Sequence, residues 1–157
     1  AIGAVAAGAL LSYLVSGLRA NAHHGEQNFL MREIAWEAET IDALPPANRL
    51  IVSNKSPLFW VGREVPALSM GRARWRAESV KFHLDHHTFQ EVLVTQVLRP
   101  IGADGGFQLD PADRLPDNYV LEPVTERRFG VRIARISRVK EIRLDVTPPA
   151  PVNRPTP

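Results

Sequence analysis

The chain has no cysteine, and that absence removes three chemistries at once: a disulfide framework, a thiolate nucleophile and a cysteine-based zinc site. A phosphate-cradling loop is also missing, since neither Gly-x-Gly-x-x-Gly nor a Walker pattern occurs. Ser12, Ser53, Ser56, Ser69, Ser79 and Ser137 all lie outside any Gly-x-Ser-x-Gly elbow, so no serine hydrolase signature is present. Asp104, Asp110 and Asp113 do not have the spacing of a calcium loop. No internal repeat of roughly 20 to 50 residues appears. The net charge of +2 leaves little electrostatic footprint for a nucleic acid, and no nucleic acid is expected as a partner.

Charge is absent altogether from Ala1 to Leu18, a stretch of Ile, Val, Leu, Ala and Gly with one Tyr and two Ser. In hydrocarbon every backbone group must be satisfied internally, so this composition suits a helix in lipid. Residues 1–19 are therefore expected to form a transmembrane helix, the end of a larger membrane domain, with Arg19, His23 and His24 marking the exit into the headgroups. The first residue is Ala1 rather than Met, which favours excision from something longer. The alternatives are a secretory signal peptide, with Ala20-Asn21-Ala22 as its cleavage site, and a buried soluble helix.

Beyond the leader, the chain has the 45% hydrophobic and 23% charged content of a globular protein. Residues 20–46 read as an amphipathic connector helix. Leu30, Ile34, Ala38 and Ile41 form its apolar stripe, and Arg32, Glu33, Glu37 and Glu39 are expected to face water. Pro45-Pro46 ends it. Residues 47–143 are expected to be a soluble α/β domain, and 144–157 a disordered proline-rich tail.

Within the domain, Leu50, Ile51 and Val52 predict a buried strand, and Ser56-Pro57 caps and opens a short helix through Val61. Val65 to Met70 predicts a second strand at an edge, because Pro66 cannot donate to a ladder. The spacing of Ala73, Ala77, Val80 and Leu84 predicts a long helix over 72–89. Val92 to Val97 predicts a central strand, followed by an irregular excursion rich in glycine, proline and aspartate. Tyr119 to Val124 and Val131 to Ile142 predict an antiparallel hairpin, with Thr125 to Gly130 between them and Gly130 in the unusual backbone conformation. The fold class is thus an α/β sandwich with a short parallel sheet and a C-terminal antiparallel hairpin, preceded by a transmembrane helix.

Three groups of residues invite chemistry. Asn54, Lys55 and Ser56 follow a strand and precede a helix, the place where open α/β sheets bind ligands and where backbone N–H groups favour anions; the competing reading is an ordinary capped turn. His83 and His87, with Asp85 and His86 nearby, are four apart and would share a helical face able to hold a metal, yet they lack the His-Glu-x-x-His pattern and a third ligand, so no metal is expected. Arginines recur at 72, 74 and 76, and again from Arg127 to Arg138, where contact with anionic lipid headgroups is compatible with a nearby bilayer. No pair of carboxylates stands out as catalytic, and no cofactor is expected in this segment.

Several phrases carry a family likeness: Ala43-Leu44-Pro45-Pro46, then Arg49-Leu50-Ile51-Val52, Ser56-Pro57-Leu58-Phe59-Trp60, and Phe82-His83-Leu84-Asp85-His86-His87 running on to Val94. Leu121-Glu122-Pro123-Val124, Glu126-Arg127-Arg128-Phe129-Gly130 and Ala134-Arg135-Ile136-Ser137-Arg138 add to it. Over about residues 5 to 143 the chain resembles the C-terminal region of bacterial polytopic membrane glycosyltransferases of family 39, relatives of the protein mannosyltransferases and the lipid A aminoarabinose transferases. The resemblance implies a parent in the cytoplasmic membrane that moves a sugar from a polyprenyl-phosphate donor, with this domain on the extracytoplasmic side. It implies the membrane as a partner and the donor as one reached through the parent protein. The family's catalytic Asp or Glu belongs to the first extracytoplasmic loop, and no position here matches it, so the resemblance supplies no catalytic residue.

Overall fold

Leu50, Ile51 and Val52 are consecutive apolar residues, a run suited to a strand covered on both faces, and all three are at most 5% exposed in strand β1 (Arg49–Val52). The computed structural model describes residues 29–55, 57–102 and 105–144. The expected transmembrane helix over 1–19, Ser56, and the proline-rich tail from 145 onward lie outside the described residues. Among the described residues, no helix is long and apolar enough to cross a membrane.

The fold is a mixed α/β arrangement built on a six-stranded sheet. Strands β2 (Ala67–Leu68), β1, β3 (Glu91–Ile101), β6 (Arg132–Ile142) and β5 (Tyr119–Phe129) lie side by side in that order, and β4 (Gly106–Leu109) pairs with the far end of β3. β1 is parallel to both β2 and β3, with Ile51 opposite Ala67 and Leu93. β3 then runs antiparallel to β6, and β6 to β5. The short parallel part and the antiparallel hairpin expected from the sequence are both present, with β2 at the edge beside Pro66.

Side chains alternate across the sheet, so β1 and β3 each contribute to two cores. On one face Ile51, Leu93 and Ile136 meet Trp36 and Ile41 of helix α1, whose described part is residues 29–42, and Trp60 of α2 (Pro57–Val61). On the other face Val52, Val92 and Val94 meet Met70 and Ala73 of α3 (Met70–Trp75) and Val80 of α4 (Ala77–Asp85).

Several local expectations are corrected. Helix α1 does not show Glu33 and Glu37 to water: both are fully buried, while Arg32 and Glu39 are exposed. The buried face is wider than one stripe, taking in Glu33, Ile34, Trp36, Glu37, Ala38 and Ile41. The segment 65–70 pairs only at Ala67–Leu68, because Met70 already opens α3 behind the N-cap Ser69. The helix expected over 72–89 is two, broken at Arg76, whose φ of −119° is outside the helical range. The excursion after β3 is more ordered than its composition suggests, containing β4 and a 3₁₀ turn at Pro111–Asp113 capped by Asp110. The hairpin is longer and tighter than expected, since Phe129 pairs directly with Arg132 and the turn is Gly130-Val131 alone. Gly130 has φ +61°, as a two-residue turn with glycine first requires.

Candidate functional site

The chain leaves β1 through α2 to β2 on one side, then returns from β2 through α3 and α4 to β3 on the other side of β1. The C-terminal ends of β1 and β3 therefore bound a topological switch point, where α/β sheets open the crevice that receives a ligand. Ser53, Asn54 and Lys55 stand at that end of β1, with Thr95 and Gln96 beside them on β3.

Here the crevice is filled by the chain itself. Asn54 donates through Nδ2 to the Ala112 carbonyl at 2.5 Å and to Asp113 Oδ1 at 3.2 Å. Asp113 Oδ2 accepts the Val97 N–H at 2.8 Å, and the Asp113 carbonyl accepts from Gln96 Nε2 at 3.0 Å. Asp110 accepts the Ala112 N–H at 3.0 Å and a hydrogen bond from Arg99. From the opposite side Arg74 of α3 donates to the carbonyls of Ala112 and Arg114, both at 2.7 Å, and of Pro111 at 3.1 Å. The 3₁₀ turn is thus held from β1, β3 and α3 together.

Lys55 is equally committed. Its ammonium lies 2.5 Å from Glu37 Oε1 and 3.3 Å from Glu33 Oε2, with the lysine side chain 7% exposed and both carboxylates fully buried. Arg132 of β6 approaches Glu33 Oε1 at 3.4 Å. Below this group Thr95 donates to Ser53 Oγ at 2.7 Å, and Ser53 Oγ also accepts the Lys55 N–H at 3.2 Å. Both oxygens of Glu33 and Oε2 of Glu37 have no hydrogen bond to a described residue. Burial raises the Glu37 carboxyl above its ordinary pKa, against the pull of Lys55, and burial likewise raises Asp113 despite the Val97 N–H. In Asp110 the hydrogen bond from Arg99 dominates and lowers the pKa.

Such an arrangement can hold charge and a proton inside the fold, but its cation is neutralised from within. Of the candidate triad, Asn54 is exposed and bonds the 3₁₀ turn, Lys55 turns inward to the buried carboxylates, and Ser56 lies outside the described residues. Glu33, Glu37 and Asp113 are the members of this cluster that the sequence reading did not assign to it. The signal for the first two was present: 33, 34, 37, 38 and 41 mark one broad helical face.

The histidines separate. Helix α4 ends at Asp85 and His87 takes φ +56°, so His83 and His87 do not share the helical face that their spacing predicts. His86 stacks on Phe82 with ring centroids 4.0 Å apart, and its Nδ1 lies 2.8 Å from the Phe82 carbonyl. His83 packs edge-on to Phe89. Among the described residues no three His, Asp or Glu side chains come together as a metal site.

A second concavity, a groove of about 1010 Å³, opens between β2, α3 and α4. Leu68, Val80 and Phe89 are among its apolar walls, with Arg72, Trp75 and Arg76 also lining it. Trp75 is 89% exposed, in contrast to Trp36 at 8% and Trp60 at 1%. No family model, no curated protein and no solved structure matches the chain.

Proposed function

We infer that this chain is the non-catalytic extracytoplasmic C-terminal domain of a polytopic membrane glycosyltransferase, which would transfer a sugar from a polyprenyl-phosphate donor. The uncharged run from Ala1 to Leu18 would be its last membrane span, in the cytoplasmic membrane. The observation that supports the reading is the occupied switch point: Asp113 is bound by Asn54 and the Val97 N–H, and Lys55 is paired with the buried Glu37, so the polar groups at the strand ends are engaged within the chain. The resemblance of the phrases from Ala43 to Arg138 supplies the family. A domain of this kind would cap the membrane body and shape the acceptor's approach.

A sugar-transfer assay tests it. Membranes carrying the protein together with its upstream sequence should transfer sugar from a polyprenyl-phosphate donor, and the present chain alone should transfer none. Transfer by the chain alone, or a reading frame that starts immediately before Ala1, would overturn the assignment. The groove beside Trp75 favours a second reading, an independent single-span protein whose α/β domain binds a ligand or protein partner.

A further inference from the structure

We propose that the groove between β2, α3 and α4 docks on the anionic phospholipid surface of the bilayer, seating a lipid headgroup phosphate between Arg72 and Arg76 with Trp75 at the level of the upper acyl carbons. The proposal rests on the membrane location inferred above and deepens it by naming the face that meets the lipid.

The composition of the groove selects an anionic amphiphile. Two arginines and a histidine line it, Arg72, Arg76 and His83, and no Asp or Glu does. Neither Arg72 nor Arg76 makes a side-chain hydrogen bond or ion pair with a described residue. By contrast Arg74, between them in sequence, is fully engaged with the 110–115 segment. Helical geometry explains the division: two residues apart on α3, Arg72 and Arg74 face opposite sides, so Arg74 meets the excursion while Arg72 borders the groove with Trp75 and Arg76.

Apolar chemistry points the same way. A tryptophan 89% exposed in water has no packing reason to be there, and Val61 on the same rim is 54% exposed. Tryptophan is favoured where one side of a residue is apolar and the other wet, which describes the headgroup level of a bilayer. Arginine near an anionic leaflet gains about 1 kcal/mol, or about five-fold in partitioning, for each residue. Glu78 and Asp117 line the adjoining concavity that Trp75 and Arg76 also border, but the groove itself sets exposed apolar side chains beside unpaired cations without an acid, which fits an anionic lipid surface better than a soluble acidic protein, whose carboxylates would still leave Trp75 in water.

Trp75 is its own reporter, because the other two tryptophans are buried. The full chain is mixed with vesicles of phosphatidylcholine alone or with phosphatidylglycerol added, each containing lipid brominated on its upper acyl carbons. Docking predicts tryptophan quenching that rises with the phosphatidylglycerol fraction, falls with added salt and disappears in Trp75→Phe. Arg72→Ala and Arg76→Ala should each lower the docked fraction relative to the undocked about five-fold, while Arg63→Ala, on an exposed arginine outside the groove, should change nothing. Quenching that is equal in both lipid compositions, that persists in Trp75→Phe, or that ignores the Arg72 and Arg76 changes would overturn the proposal. Quenching relieved equally by free inorganic phosphate at matched ionic strength would also overturn it, since the groove would then be a phosphate site rather than a lipid surface. Co-sedimentation with neutral vesicles reports separately on the membrane anchor, so loss of that reading and loss of the docking surface give different results.

Discussion

Replacing Lys55 by Met removes the ammonium between Glu33 and Glu37 while keeping a flexible chain of similar length in a site 7% exposed. Among the described residues, two fully buried carboxylates then share only Arg132, 3.4 Å from Glu33. Removing one partner of a buried ion pair costs about 3–5 kcal/mol, but a stranded carboxylate can escape by taking a proton. For a carboxyl of ordinary pKa 4.5, that escape costs about 1.4 kcal/mol for each pH unit above this value, hence about 3.4 kcal/mol at pH 7 and about 0.7 kcal/mol at pH 5.

The Lys55→Met variant should therefore lose about 3 kcal/mol at pH 7 and about 1 kcal/mol at pH 5. The sign follows from proton uptake: a carboxyl whose folded pKa is raised keeps its proton while the unfolded chain has lost it. Stability is accordingly complete below the ordinary pKa and declines as pH rises through the folded value. Urea unfolding followed by the fluorescence of the buried Trp36 and Trp60 measures both losses. Adding Glu37→Gln to Lys55→Met should recover part of the loss at pH 7, because one buried charge is removed. A loss below about 0.5 kcal/mol at pH 7, the range of an ordinary surface substitution, or one that does not change between pH 5 and pH 7, would refute the buried-charge reasoning.

Other substitutions probe separate parts of the fold. Val94→Asp puts an unpaired charge into a fully buried position of β3 and should abolish cooperative unfolding at neutral pH, a cost of several kcal/mol. Asp113→Ala strips the buried Val97 N–H of its acceptor and leaves the Asn54 amide with the Ala112 carbonyl alone, with an expected loss of about 1–3 kcal/mol and faster hydrogen exchange at Val97. Gly130→Ala must hold φ near +61° and brings a methyl group to 3.3 Å from Phe29 Cζ, so a loss of about 1–2 kcal/mol is expected in the same urea assay.

The strands were legible because their residues obey one rule throughout. Leu50 to Val52 and Val92 to Val97 are nearly continuous apolar runs, and burial on both faces of a parallel sheet demands that composition. Gly130 was legible for a steric reason, as the tight turn needs a positive φ. The charged half of the site was hidden by the opposite convention. Glu33 and Glu37 sit on a helix with a recognisable apolar stripe, and carboxylates are normally assigned to water. Their burial depends on Lys55 and Arg132, one 18 residues on from Glu37 and the other on the far hairpin, and such long-range pairing leaves no periodic trace. Likewise, Asp113 looked like a loop aspartate because its partners, Val97, Asn54 and indirectly Arg74, come from three separate elements. The helix break at Arg76 was masked by apolar spacing that continues across it, from Ala73 to Val80.

Because the proposed role places the chemistry outside this domain, the most direct measurement is sugar transfer per folded molecule in the protein carried with its upstream sequence, comparing wild type with the Lys55→Met, Glu37→Gln pair. That pair rewrites the charge at the switch point while removing one buried anion along with its cation. If the domain only caps a membrane enzyme, turnover should stay within about two-fold of wild type. A fall of about hundred-fold or more in correctly folded protein, the size expected when a group that handles a proton or stabilises charge in the reaction is lost, would contradict the account and move the active site into this crevice.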